Sequence, residues 1–97
     1  MYIGIGTVEL QIYEAGSLKE KRAVLRSLVS RLRNLGSLSV AEVGFQDTWQ
    51  RALLGLAVVA SSRQAAETSL RQAAAVIERE ARVELLRFEE EIEVYDT

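Results

Sequence analysis

Ninety-seven residues with 48% apolar content, 12 bases, 14 acids, a net charge of −2 and no proline leave room for one domain spanning 1–97 and none for a second. The absence of Cys and His removes disulfides, thiolate nucleophiles, cysteine–zinc sites and the commonest general base. The longest apolar run, Ala52 to Ala60, is too short to span a bilayer, and MYIGIGTVEL lacks the n- and h-regions of a signal peptide, so a cytoplasmic protein with no membrane partner is expected.

The first element is a strand. Tyr2 to Tyr13 alternates apolar and polar residues in two phases, with Ile3 and Ile5 on one parity and Val8, Leu10 and Ile12 on the other. Such a strand is buried on both faces or carries a bulge, and Gly4 and Gly6 near the phase change allow a bulge or a close backbone approach. Glu14-Ala15-Gly16 makes a turn. Ser17 and Glu20 then have the S-x-x-E spacing of a capping box, which places a helix start there. At 100° per residue, Leu18, Val24, Leu25, Leu28, Val29, Leu32 and Leu35 fall in one arc of about 140°, the core-facing stripe. Gly36 supplies the stop.

Ser37 to Val43 and Trp49 to Ala60 are both β-prone, and the turn chemistry of Gly44 to Thr48 joins them as a hairpin. Ser61, with Gln64 at the capping-box position, opens a second helix that carries Ala66, Leu70, Ala73, Ala74, Ile77 and Ala81 at helical spacing. Val83 to Tyr95 returns to β character with acids interleaved. The order βαββαβ predicts an α+β fold, a ferredoxin-like sandwich of a four-stranded antiparallel sheet with two helices on one face. The third strand is apolar on both parities, so the sheet face away from the helices is expected to be covered by a second copy of the chain in a homodimer.

Charge is distributed unevenly. Between Ser17 and Arg33 six cations (Lys19, Lys21, Arg22, Arg26, Arg31, Arg33) face Glu20 alone, while Glu78 to Thr97 holds eight acids and three bases. On the helical wheel Arg22, Arg33, Arg26 and Lys19 lie about 40°, 60°, 80° and 100° from Leu18, a single stripe bordering the apolar face. That stripe can hold a phosphate backbone through salt-sensitive, sequence-independent contacts. The alternatives are a solvated face or pairing with the acidic last strand. Lys19 and Lys21 stand at a helix N-terminus, where the dipole disfavours cations, and this favours a partner for them. The nucleic-acid-binding candidates are therefore Lys19, Lys21, Arg22, Arg26 and Arg33.

The hairpin segment collects Glu42, Gln46, Asp47, Trp49, Gln50 and Arg51, the candidates for a partner surface or interface. As an active site they would form a Glu42–Asp47 carboxylate pair with Arg51 holding an anion. As structure, Asp47 shapes the turn, Glu42 and Arg51 pair across strands, and Trp49 anchors an interface. No nucleophile or metal-ligand spacing accompanies them, so no catalytic residue, metal site or cofactor is assigned. Phe88 to Glu93 could chelate a divalent cation, but reads better as an edge strand kept from aggregating by like charges. The preference for Arg over Lys fits a heat-adapted source or a high-GC genome.

At these residues the chain resembles the YlxP-like family of small bacterial proteins of unknown function: S-L-K-E-K-R at Ser17 to Arg22, S-V-A-E-V at Ser39 to Val43, Q-D-x-W-Q-R-A at Gln46 to Ala52 and L-G-L-A-V-V at Leu54 to Val59. The sequence departs from the usual pattern at Gly44 and Phe45, where the family more often has an acidic or polar pair. The resemblance implies a ferredoxin-like fold and a cytoplasmic location. Members are often encoded beside translation initiation and ribosome-maturation factors, which implies an RNA- or ribosome-linked role. The leading expectation is thus a non-enzymatic, dimeric protein that contacts RNA or the ribosome electrostatically; the alternative is a dimeric small-molecule-sensing or scaffold domain.

Overall fold

The computed structural model describes residues 1–96. Its elements run β1 (Tyr2–Ile12), α1 (Leu18–Arg33), β2 (Ser39–Gly44), β3 (Arg51–Ala60), α2 (Arg63–Glu78) and β4 (Val83–Val94). The strands form one antiparallel sheet in the order β2-β3-β1-β4, the ferredoxin-like arrangement expected from the sequence.

The two phases of β1 are its two faces. Its pairing with β3 is regular from Tyr2 to Gln11, so Gly4 and Gly6 occupy the same face as the buried Val8, Leu10 and Ile12. A side chain there would press on its neighbours. A Cβ on Gly4 would lie 2.8 Å from Val58 Cγ1 and 3.2 Å from Leu70 Cδ1, and one on Gly6 would lie 3.3 Å from Leu56 Cδ1. The glycines let α2 settle onto the sheet, with Ala66, Leu70, Ala73 and Ile77 fully buried along its contact face. The bulge lies elsewhere, between Glu9 and Leu10, where β4 inserts Leu86 between the partners Arg87 and Leu85. Along β3 the helix-facing parity is Ala52, Leu54, Leu56 and Val58, all buried; burying each Leu or Val contributes about 1.5–3 kcal/mol.

Several boundaries move by a residue or two. Ser62, not Ser61, caps α2, its Oγ accepting from the Ala65 N–H at 3.1 Å. Ala81 lies beyond the end of that helix and is exposed. At α1 the Ser17 Oγ accepts from the Glu20 N–H as expected, but Glu20 Oε2 takes the Gly16 N–H at 2.6 Å rather than that of Ser17. Leu25, Leu28 and Leu32 are buried, while Leu18, Val24, Val29 and Leu35 are half-buried. The chain then leaves the helix through Gly36 at φ +89°, a backbone conformation suited to glycine. β2 starts at Ser39 and β3 at Arg51, so residues 45–50 form the connecting loop and Trp49 belongs to it rather than to the strand.

Candidate functional site

One predicted contact residue is not on the surface. Lys21 is only 1% exposed, its Nζ donates to the Phe45 carbonyl at 2.6 Å, and it lies 3.0 Å from Glu42 Oε2. The wheel carries the reason: with Leu18 at 0° the apolar arc runs from about 240° to 20°, and Lys21 falls at about 300°, inside it. Lys21 is therefore removed from the nucleic-acid-binding set. The expected Glu42–Arg51 cross-strand pair does not form either. Glu42 is opposite Leu54 and faces the helices, whereas Arg51 is on the other sheet face, where it pairs with Glu9 and lies 5.7 Å from the Phe45 ring centre. The proposed carboxylate–arginine constellation is thus split between two faces.

The remaining cations of α1 separate by partner. Arg31, at about 220° on the opposite border of the apolar arc, reaches Glu80 Oε1 at 2.5 Å. Glu80 also accepts from the Arg82 N–H, Nε and Nη2 at 2.9, 3.0 and 2.8 Å. These bonds, with burial opposing them and the Arg82 and Arg31 charges assisting, lower its carboxyl from 4.5 to about 2. Arg82 Nη2 donates further to Ser27 Oγ, so this network fastens α1 to the turn between α2 and β4. Neither Glu80 nor its role was visible in the sequence, where it counted only as one acid among eight. Lys19, Arg22 and Arg26 have no ion pair or hydrogen bond from their side chains among the described residues, and all three are exposed. They do not pair with β4, which lies at the sheet edge farthest from β2.

Between α1 and β2 the packing opens into a groove of about 520 Å³. The half-buried Val29 lines it above the buried Leu25 and Leu54, Arg22 and Arg26 stand along the helix side, and Glu42 lies on the strand side. Two long side chains tie α1 to the β2 side, Lys21 from a buried position and Arg33 from the groove. Lys21 joins α1 to Glu42 and to the start of the hairpin loop, and Arg33 Nη2 donates to the Val40 carbonyl at 2.9 Å. Arg33 is therefore partly committed to structure, unlike Arg22 and Arg26. The Lys21 hydrogen bond is directed at the Phe45 carbonyl, and Glu42 Oε2, though an ion-pair partner, receives no hydrogen bond.

The hairpin loop is tied down at its base and exposed at its tip. Gln50 donates from Nε2 to the Ala15 carbonyl at 3.2 Å, and its own carbonyl accepts from the Ile12 N–H at 2.9 Å. Phe45 holds φ +56° with its carbonyl accepting from both Lys21 and the Thr48 N–H. Gln46 makes only a long 3.4 Å contact to the Glu42 carbonyl, Asp47 is exposed, and Trp49 is 51% exposed. Along β4 the register sends Glu89, Glu91 and Glu93 to the open sheet face; Glu93 pushes the Glu91 carboxyl up through a shared hydrogen bond and charge repulsion. Among the described residues no group of three or more acids is placed to hold a metal ion.

Residues 3–90 match the family model described as a protein of unknown function, DUF503. The chain belongs to that family. It is 49% identical over 76 residues to the uncharacterized protein YlxP of Bacillus subtilis (strain 168), covering 78% of this chain and 83% of that protein. Solved structures similar to this DUF503 member share its fold at low identity. They include protein YJCS (TM-score 0.58, 12% identical, 92% of this chain and 96% of that one). A de novo designed protein with a ferredoxin fold follows (TM-score 0.54, 8%, 98% and 88%). A third is a dimeric ferredoxin-like protein from an uncultured marine organism (TM-score 0.51, 6%, the whole of both chains). No helix among the described residues is long and apolar enough to cross a membrane.

Proposed function

We propose that this protein is a non-enzymatic binding protein that holds RNA, alone or within the ribosome, along the exposed edge of α1. The observation that carries the proposal is the contrast among the helix's own cations. Lys21, Arg31 and Arg33 are spent on internal partners, whereas Lys19, Arg22 and Arg26 stay free on one ridge beside a groove in a chain of net charge −2. Lys19 to Arg26 covers about 10 Å of helix axis, and long side chains there can span neighbouring phosphates. The test is a titration against ribosomal RNA over a salt series. Binding is expected to weaken steeply with salt and to be lost in the Arg22→Glu/Arg26→Glu variant while its melting temperature holds. Undiminished binding by that variant would remove α1 as the contact.

A homodimer through the open sheet face is compatible with this use of α1, because the helices lie on the opposite face. Its support is the apolar exposure there: Ile5 is 40% exposed and Val59 65%, with Gly55 and Ala57 beside Val59 on the same parity of β3. Sedimentation across a dilution series tests it: a dimer is expected for the parent and a folded monomer for Val59→Asp. A monomeric parent would refute it. The same face could shelter a small molecule in a sensing or scaffold domain, and then the dimer would persist with no RNA bound.

A further inference from the structure

An electrostatic ridge alone would hold any phosphate backbone, paired or unpaired. The groove beside it is not explained by phosphates. Its apolar wall is the half-buried Val29 above the buried Leu25 and Leu54, surface that a phosphate gains nothing by covering. Arg33 crosses it to the Val40 carbonyl, so it admits a short unit rather than a continuous duplex. Its volume of about 520 Å³ is in the range of small-ligand pockets, about 300–1,000 Å³. On the strand side Glu42 is ion-paired with Lys21, and the unpaired cations, Arg22 and Arg26, stand on the helix side.

We infer that the α1–β2 groove receives one unstacked nucleotide of single-stranded RNA, its phosphate on Arg22 and Arg26 and its base against Val29. The inference rests on the RNA reading of the same ridge and adds the form of RNA recognised. An A-form duplex keeps its bases stacked and paired and offers proteins a shallow minor groove and its phosphates, so it has no unit to place against an apolar wall. An unpaired strand can splay a base out at the cost of one stacking step and so present an apolar face that a duplex keeps stacked. This differs from recognition on the sheet by aromatic residues. The helix-facing parity of β3 is buried, and its open parity, from Arg51 to Val59, carries no aromatic residue.

The test compares fluorescence anisotropy titrations with a short single-stranded RNA, the same sequence as a duplex, and free AMP. The variant Ser30→Phe fills the groove from an exposed lining position and leaves both arginines in place. Asn34→Phe, at another exposed lining position, replaces it should Ser30→Phe melt early. The parent is expected to bind the single strand about tenfold or more tighter than the duplex, and the filled variant to lose about that factor for the single strand alone. Equal affinity for strand and duplex, or a filled variant that binds the strand like the parent, overturns the groove inference. AMP binding as tightly as the strand overturns it too, by making the occupant a free nucleotide. The Arg22→Glu/Arg26→Glu variant separates the two levels. If it loses RNA while Ser30→Phe does not, the ridge stands and the groove falls; if it binds RNA undiminished, or the parent binds no RNA, both fall.

Discussion

The two helices sit on the same sheet face in opposite ways. α2 is pressed onto β1 and β3, with alanines on the helix meeting glycines on the strand so closely that a methyl on Gly4 would collide with Val58. α1 is fastened on its Arg31 side by the Glu80–Arg82–Ser27 network, and toward β2 it borders a groove crossed by Arg33, with Lys21 buried against Glu42 and the Phe45 carbonyl. So tight a contact leaves no room for a ligand at that flank. The lesson is that cations on one helix serve different ends by position: Lys21, Arg31 and Arg33 tie the helix to its neighbours, and Lys19, Arg22 and Arg26 make no such contact.

The strongest way to break this picture is within one strand. Val58→Asp buries an unpaired carboxylate against α2 and should unfold the domain, a loss of more than about 4 kcal/mol, whereas Val59→Asp, one residue on, should stay folded. Circular dichroism of the two variants decides it, and two folded proteins would mean the faces of β3 are misassigned. Lys21→Ala should cost about 3 kcal/mol in urea unfolding, since it leaves the Phe45 carbonyl and Glu42 without their cation; the partial exposure of Glu42 keeps the loss at the low end for a broken buried pair. Gly4→Ala tests the opposite flank. The added methyl should cost about 2 kcal/mol by pushing on Val58 and Leu70, and a neutral outcome would show that α2 has slack.

Acid sharpens the account of how α1 is fastened. The Glu80 carboxyl is lowered to about 2 in the native protein, so the unfolded chain binds the proton first as pH falls. The stability the network contributes is complete above about pH 5, declines below 4.5 and is gone near pH 2. On the order of 1–2 kcal/mol should disappear over that window in the parent, after allowance for solvent screening, and not in Glu80→Gln. The smallest expected effect is at the loop tip. Trp49→Ala should change the unfolding free energy by less than about 0.5 kcal/mol, because half of the residue is already in solvent and the loop is held by Gln50 and Lys21 instead.

Much of this was legible in the sequence, for reasons that particular residues make plain. Long periodic segments and a serine cap placed α1, and the element order gave the topology. The burial of Lys21 is legible too, because its angle lies at the middle of the apolar arc, and position outweighs charge there. The β1 glycines could be read as a bulge or as a close approach, and only the neighbouring Val58 and Leu70 decide between them. Pairings across the fold were out of reach. Nothing local says that Glu42 meets Lys21 rather than Arg51, since that depends on which sheet face each occupies, and nothing local singles out Glu80 from the seven other acids near it. The groove is a gap between elements and leaves no mark in any one of them.

The measurement that tests the central claim most directly is a map of backbone amide shifts in a two-dimensional ¹H–¹⁵N NMR titration with a short single-stranded RNA. The account predicts that the perturbed amides run along α1 from Lys19 to Ser30 and across to β2 near Glu42, with α2 and its contacts to Gly4 and Gly6 unmoved. Perturbations centred on α2 or on the open sheet face, with α1 unchanged, would contradict it.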